Sequence, residues 1–202
     1  MVYRKTPSTA ARKDARRKLL LDAATRLFGR HGYHAATVPM IVAEAGSSVG
    51  SFYAHFRNKE DIFAAVLEAM GRQVTGLMEE ARLSQSDPLL GLSSAVESLF
   101  LFLAQNPGQA RILIVESSGL SPRLEQVRRD LLREHASLVR QALESAPEAS
   151  SVVNPAIAAH CLVGAVFESL YSWLEEPETE RKPAAEVARA VANYNTRALR
   201  RG

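Results

Sequence analysis

Hydroxyls, an imidazole and very small side chains crowd one stretch of the chain, A-G-S-S-V-G-S-F-Y-A-H-F at residues 45–56. Phe52 and Phe56, spaced i, i+4, share one face of a helix predicted over about Ser48 to His55. Val49, Gly50, Ser51, Tyr53 and His55 are then left largely outward, with Ser47 or Ser48 capping the start. An exposed face of this kind suits a DNA groove, where hydroxyls and closely approaching backbone meet phosphates and base edges. The same residues also read as an ordinary helical corner, with Tyr53 and His55 as half-buried packing residues. Charge separates the two readings. Up to residue 60 there are eleven Lys/Arg against four Asp/Glu, a net +7, and beyond it fourteen against eighteen, a net −4. A basic head on an acidic body is the electrostatic footprint of a nucleic-acid reader.

The segments around this stretch are built to hold it. Thr37 caps a helix whose first turn admits Pro39, Ile41, Val42 and Ala45 form its buried stripe, and Gly46 ends it. From Arg12 to Gly32, Leu19, Leu20, Ala23, Ala24, Leu27 and Phe28 recur at helical spacing, behind a start crowded by Arg12, Lys13, Arg16, Arg17 and Lys18. Cations at a helix N-terminus oppose its dipole, which makes sense beside phosphates; a plain solvated face is the bland alternative. Residues 1–11 lack periodicity and are expected to be a mobile arm. Asn58 caps the next helix, Lys59 to about Leu83, with Glu60 and Asp61 in its first turn.

The run from Arg17 through Phe63 resembles the helix-turn-helix domain of the TetR family of transcriptional regulators. The resemblance is carried by A-A-x-x-L-F at 23–28, H-G-Y at 31–33, T-V at 37–38, the 45–56 stretch quoted above, and Lys59. It implies that the second helix buttresses the third, that the third enters the major groove, and that Tyr53, His55 and Lys59 hold phosphates. Ser48, Val49, Gly50 and Ser51 would face the bases, and Arg17 and Thr37 complete the candidate DNA contacts. Two positions depart from the family pattern: Ser47 stands where an aliphatic residue is usual and Val42 where alanine is usual, both bearing on how helices two and three pack.

With 202 residues, 47% hydrophobic and 6% aromatic, the chain can form one large or two small cores. Residues 1–58 are read as the DNA-binding domain and 59–202 as a helical effector-binding and dimerisation domain. The charged N-terminus has no apolar run behind it, and no uncharged apolar stretch reaches the roughly 18 residues of a membrane span, so a cytoplasmic protein without a membrane partner is expected. The lone cysteine, Cys161, excludes an internal disulfide and a cysteine-rich metal site.

Beyond the long helix, Asp87-Pro88, Asn106-Pro107, Ser121-Pro122 and Asn154-Pro155 each place a capping side chain before a proline and mark four helix starts. Leu89 to Leu103 is apolar nearly all round, as a buried helix would be. Helices over about 122–145, 155–175 and 184–199 complete an all-α body, and no alternating strand pattern occurs. Large apolar residues concentrate at Leu99–Leu103, Ile112–Val115 and Phe167–Trp173. They either fill the core or line a pocket for an apolar effector; the pocket candidates are Phe100, Leu103, Leu113, Glu116, His135, Phe167 and Tyr171. Small side chains at Ala156, His160 and Gly164, and Val187 and Val191 in the last helix, either pack within the monomer or form a two-fold interface. The resemblance implies the interface, pairing two recognition helices on a palindromic double-stranded operator.

No nucleophile, phosphate-loop or paired-carboxylate signature appears, and His135 and His160 lack metal-ligand spacing, so no enzyme, metal or cofactor is expected. The combined expectation is an effector-released DNA-binding repressor. A ligand-independent architectural member of the same fold and a helical enzyme with a basic surface are the alternatives.

Overall fold

A computed structural model describes residues 7–146 and 154–199, which are helical and turn-linked with no strand among them. The chain divides into two compact units, Met1–Leu67 and Glu68–Gly202.

The first unit holds α1 (Pro7–Ala35), α2 (Val38–Glu44), α3 (Val49–Tyr53) and the opening turns of α4 (Lys59–Leu83). Helix α1 starts earlier than its periodicity suggested, so residues 7–11 are helical, while residues 1–6 of the expected arm lie outside the described residues. Leu20, Ala23, Ala24, Leu27 and Phe28 enter the core, but Leu19 is 54% exposed. Adjacent helical positions are about 100° apart, and Leu20 takes the inward one. Helix α1 breaks at Gly32 (φ 76, ψ 168), a conformation that only glycine adopts without strain. The break brings the Tyr33 ring within 4.8 Å of Phe63, itself edge-on to Phe28 at 4.8 Å.

Thr37 Oγ1 accepts from the Met40 amide at 3.4 Å, and Gly46 (φ 55) turns the chain after α2. Ser48, not Ser47, caps α3: its Oγ accepts from the Ser51 amide at 3.2 Å. Helix α3 is shorter than expected. The His55 amide bonds back to the Phe52 carbonyl at 2.9 Å, tightening the last turn, so His55 lies past the helix end. Asn58 does cap α4, its Oδ1 accepting from the Asp61 amide at 2.8 Å.

The divide between the units falls inside α4, later than residue 58: Phe63 in its first two turns is fully buried against Phe28 and Tyr33 of the first unit.

The second unit contains the rest of α4, then α5 (Pro88–Gln105), α6 (Pro107–Ala110) running on as a π-helical segment (Arg111–Glu116), α7 (Pro122–Glu144), α8 (Pro155–Glu175) and α9 (Ala184–Leu199). Asp87, Ser121 and Asn154 cap their helices with side-chain oxygens as expected. Asn106 does not; its Nδ2 donates to the Phe102 carbonyl at 2.8 Å and so closes α5 instead of opening α6.

Helix α5 packs chiefly on α9, and α7 on α8. Two apolar clusters result, one around Phe100, Leu103 and Leu170 and one around Leu89, Leu143 and Leu162. Helices α5 and α8 are long and apolar enough to cross a bilayer by composition, but α5 sends residues into both of these clusters. Gly91 permits a close crossing of α4 and α5, since a Cβ there would stand 2.6 Å from the Arg82 carbonyl oxygen.

Candidate nucleic-acid interface and ligand cavity

In the first unit, α3 turns a polar and partly apolar face to solvent. Ser48, Val49 and Gly50 are exposed, Ser51 is half-buried, and Tyr53 is 56% exposed. Phe52 and Phe56 fix this orientation by being buried, with ring centroids 5.7 Å apart. Nothing would crowd a Cβ at Gly50, so its bareness serves no packing need within the chain. Helix α2 is held to α1 by Glu44, whose carboxylate takes Arg26 Nε at 2.8 Å and Arg30 at 3.2 Å. These arginines, to which the sequence pattern assigns no role, therefore serve the scaffold.

The basic start of α1 gathers where α3 ends. The Arg17 guanidinium sits 5.2 Å from the Phe56 ring centroid, a cation–π contact. His55 is half-buried rather than outward, and its pKa is held below the ordinary imidazole value by burial first, then by Lys13, Arg17 and Arg16, against a smaller opposing effect of Asp14. Cations that depress a histidine across a helix end mark a place where positive potential is concentrated, the condition for holding an anion.

Lys59 is engaged already. Its Nζ donates to the Tyr33 carbonyl at 2.8 Å and the His34 carbonyl at 3.2 Å, and lies 4.4 Å from the Tyr33 ring centroid. It thus caps the C-terminal end of α1, where a cation is favoured. Thr37 is exposed, its hydroxyl occupied as an α2 cap. Ser47 leaves a buried Oγ with no hydrogen-bond partner, the local cost of a polar residue at that packing position.

The seven effector candidates separate in the second unit. His135 and Phe167 meet, ring centroids 6.1 Å apart, at an apolar cavity that Met78, Val96, Val139 and Leu162 also line. Phe100 and Leu103 are instead fully packed core, and Leu113 lies against the same cluster. Glu116 is ion-paired with Arg111 at 3.0 Å, and Tyr171 borders a separate outward groove. A dense apolar run in sequence marks where a core is thickest, and cavities form where packing fails, which these residues do not allow. The residue missed was Asn195, which lines the cavity from α9. Its signal was legible: Ala188, Val191, Ala192, Asn195 and Leu199 are one buried stripe with a single polar member.

Among the interface candidates, Ala156, His160 and Gly164 are exposed on α8. Val191 is only 9% exposed and belongs to the core, and Val187 packs against it. The α9 stripe of small residues faces α5, so its outward side is Arg189, Ala190, Asn193 and Tyr194 instead.

Residues 20–66 match the family described as bacterial regulatory proteins, tetR family. Over 184 residues the chain is 32% identical to the uncharacterized HTH-type transcriptional regulator YdgC of Bacillus subtilis (strain 168), covering 88% of this chain and 89% of that one. The fold is similar to that of the transcriptional regulator FadR from Bacillus subtilis in complex with stearoyl-CoA (TM-score 0.79, 21% identity, 89% of this chain and 97% of that one). It is also similar to the SmeT–triclosan complex (TM-score 0.78, 25% identity, 93% of this chain and 92% of that one), SmeT being the repressor of the Stenotrophomonas maltophilia multidrug efflux pump SmeDEF.

Proposed function

The chain belongs to the TetR family and is a DNA-binding transcriptional regulator, and on that footing we propose that it is a cytoplasmic homodimeric repressor, released from a palindromic operator by a small, largely apolar effector bound in its second unit. In this reading α3 enters the major groove with Ser48, Val49, Gly50 and Ser51 toward the bases, while Arg17, Thr37, Tyr53, His55 and Lys59 lie along the phosphates. Helix α3 carries no Arg, Asn or Gln, so it lacks the bidentate base readers. Specificity then comes from Val49 against thymine methyls, close backbone approach at Gly50, and DNA shape. The outward face of α8, with Ala156, His160 and Gly164, supplies the two-fold contact that pairs the recognition helices about one DNA turn apart.

The observation that carries the effector part is the apolar cavity of the second unit, reached by Met78 of α4. Lys59 and Met78 belong to the same helix, α4, which in this reading is the route by which ligand binding reaches the DNA contacts. Stearoyl-CoA in the FadR complex carries a long apolar acyl chain on a charged nucleotide head, and triclosan in the SmeT complex is a small aromatic molecule; the apolar part common to both favours a ligand with an apolar body here. Release needs a differential affinity of about 1–3 kcal/mol, and by reciprocity operator DNA must weaken the ligand equally. The test is a thermal-shift screen of apolar and polar compounds, followed by operator affinity with each binder. Release by apolar binders is expected; release by polar compounds while apolar ones neither bind nor act overturns the proposal.

A further inference from the structure

Two polar side chains stand at the cavity with none of their polar atoms hydrogen-bonded. His135 of α7 and Asn195 of α9 are 4% and 5% exposed, and His135 Nδ1 and Nε2 and Asn195 Nδ2 and Oδ1 are all without a partner among the described residues. A buried polar group left unpaired destabilises the fold, which packing alone does not justify in a lining that is mostly Leu, Val and Phe and whose other polar members are the hydroxyls of Ser93 and Thr196, the latter bonded to the Ala192 carbonyl at 2.8 Å. We propose, resting on the effector reading above, that His135 and Asn195 are the recognition pair for an uncharged hydrogen-bonding group, a hydroxyl or primary amide, on an otherwise apolar effector.

The chemistry of the lining selects that class. Among the described residues no charged side chain borders the cavity, so a carboxylate, phosphate or ammonium would be desolvated there without a counter-ion. Burial holds His135 in its neutral form, which presents one donor and one acceptor, and the Asn195 amide presents both as well. A hydroxyl or primary amide, which also donates and accepts, satisfies this pair. The free volume beside them is only about 30 Å³, room for about two waters, whereas the outward groove holds about 540 Å³. Phe167 and Val163 border both spaces, so displacing the Phe167 ring would merge them into a chamber of ligand size, with the apolar tail along the groove, where Arg128 and Glu168 also stand, and the head group at the uncharged His135–Asn195 end.

The test is calorimetric titration of the full chain with four ten-carbon probes that differ only at the head: 1-decanol, decanamide, decanoate and decylammonium, at pH 8. The parent should bind the two neutral probes at least about ten-fold more tightly than the charged ones, the equivalent of one hydrogen bond. His135→Leu and Asn195→Leu should each abolish that preference, while ligand-free thermal stability stays equal or rises, because an unpaired buried polar group has been removed. A merely structural polar pair would instead lose stability on substitution. Should a leucine variant not fold, His135→Gln, which keeps a donor and an acceptor, should retain the neutral preference. Equal binding of charged and neutral probes, or no binding of any probe by the parent, overturns the proposal. Neutral binding that leaves operator affinity unchanged upholds it and overturns the release reading instead.

Discussion

Lys59 joins the start of α4 to the end of α1 through Tyr33: its ammonium donates to the Tyr33 carbonyl at 2.8 Å while lying over the ring of the same residue. One side chain is thus both a structural clasp and a proposed phosphate contact, and the two roles respond to different measurements. Lys59→Ala should lower the stability of the first unit by about 1–3 kcal/mol, the scale of hydrogen bonds from a charged donor, read by urea denaturation. It should also reduce the magnitude of the salt slope of DNA binding by about one, on all sequences alike. A stability loss with an unchanged salt slope would leave Lys59 as the clasp only.

Three glycines on helices of the second unit should respond in a fixed order. Gly91→Ala drives a Cβ against the backbone carbonyl of Arg82, which cannot move aside without shifting α4, and should cost about 1–3 kcal/mol. Gly71→Ala meets the flexible end of Leu131 and should cost less. Gly164→Ala points into open space on a helix and should stabilise the isolated monomer by about 0.5–1 kcal/mol.

Gly164→Leu then probes the proposed dimer. A Cβ at this exposed position meets nothing within one chain, so the fold should persist. If two copies of α8 cross there, the substitution overpacks the crossing by about 1–3 kcal/mol per site. Sedimentation should show weaker dimerisation with a matching fall in operator affinity. A monomeric variant that binds a full palindrome as tightly as the parent would contradict the interface.

The pH dependence of stability follows from His135. Burial depresses its folded pKa, the exposed Glu134 opposes this only weakly, and no charged group among the described residues lines the cavity. The unfolded chain therefore binds a proton more readily than the folded one. Stability is fully present above the ordinary imidazole value of about 6.5 and is lost as pH falls from there through the folded pKa. His55, depressed for the reasons given above, contributes with the same sign. His135→Leu should flatten the decline below about pH 6.5 in thermal melts, and an unaltered profile would contradict its burial as a neutral group.

The helices were legible in the sequence wherever a stripe and a cap agreed. Asp87, Ser121 and Asn154 open their helices as read, and α4 spans Lys59 to Leu83. Asn106 precedes a helix start at Pro107 as read but does not cap it with its side chain, because a side-chain amide can close the preceding helix as readily as open the next. Leu19 and Val191 show a second limit: period 3.6 gives a face, and the neighbour on that face is known only once the helices are packed. The site was half visible. His135 is the polar member of the buried stripe of the otherwise charged α7 and Phe167 an aromatic residue in the apolar α8, whereas Asn195 is hidden when the last helix is read for its small residues alone.

The central claim is sequence-specific DNA binding through α3, and footprinting the purified protein on DNA flanking its own gene tests it most directly. Two protected half-sites related by a two-fold axis and centred about one helical turn apart are expected, lost on substitution of the exposed Tyr53 and weakened by rising salt. Uniform, sequence-independent protection, or a footprint unaffected by substituting Ser48, Val49 and Tyr53 together, would contradict it.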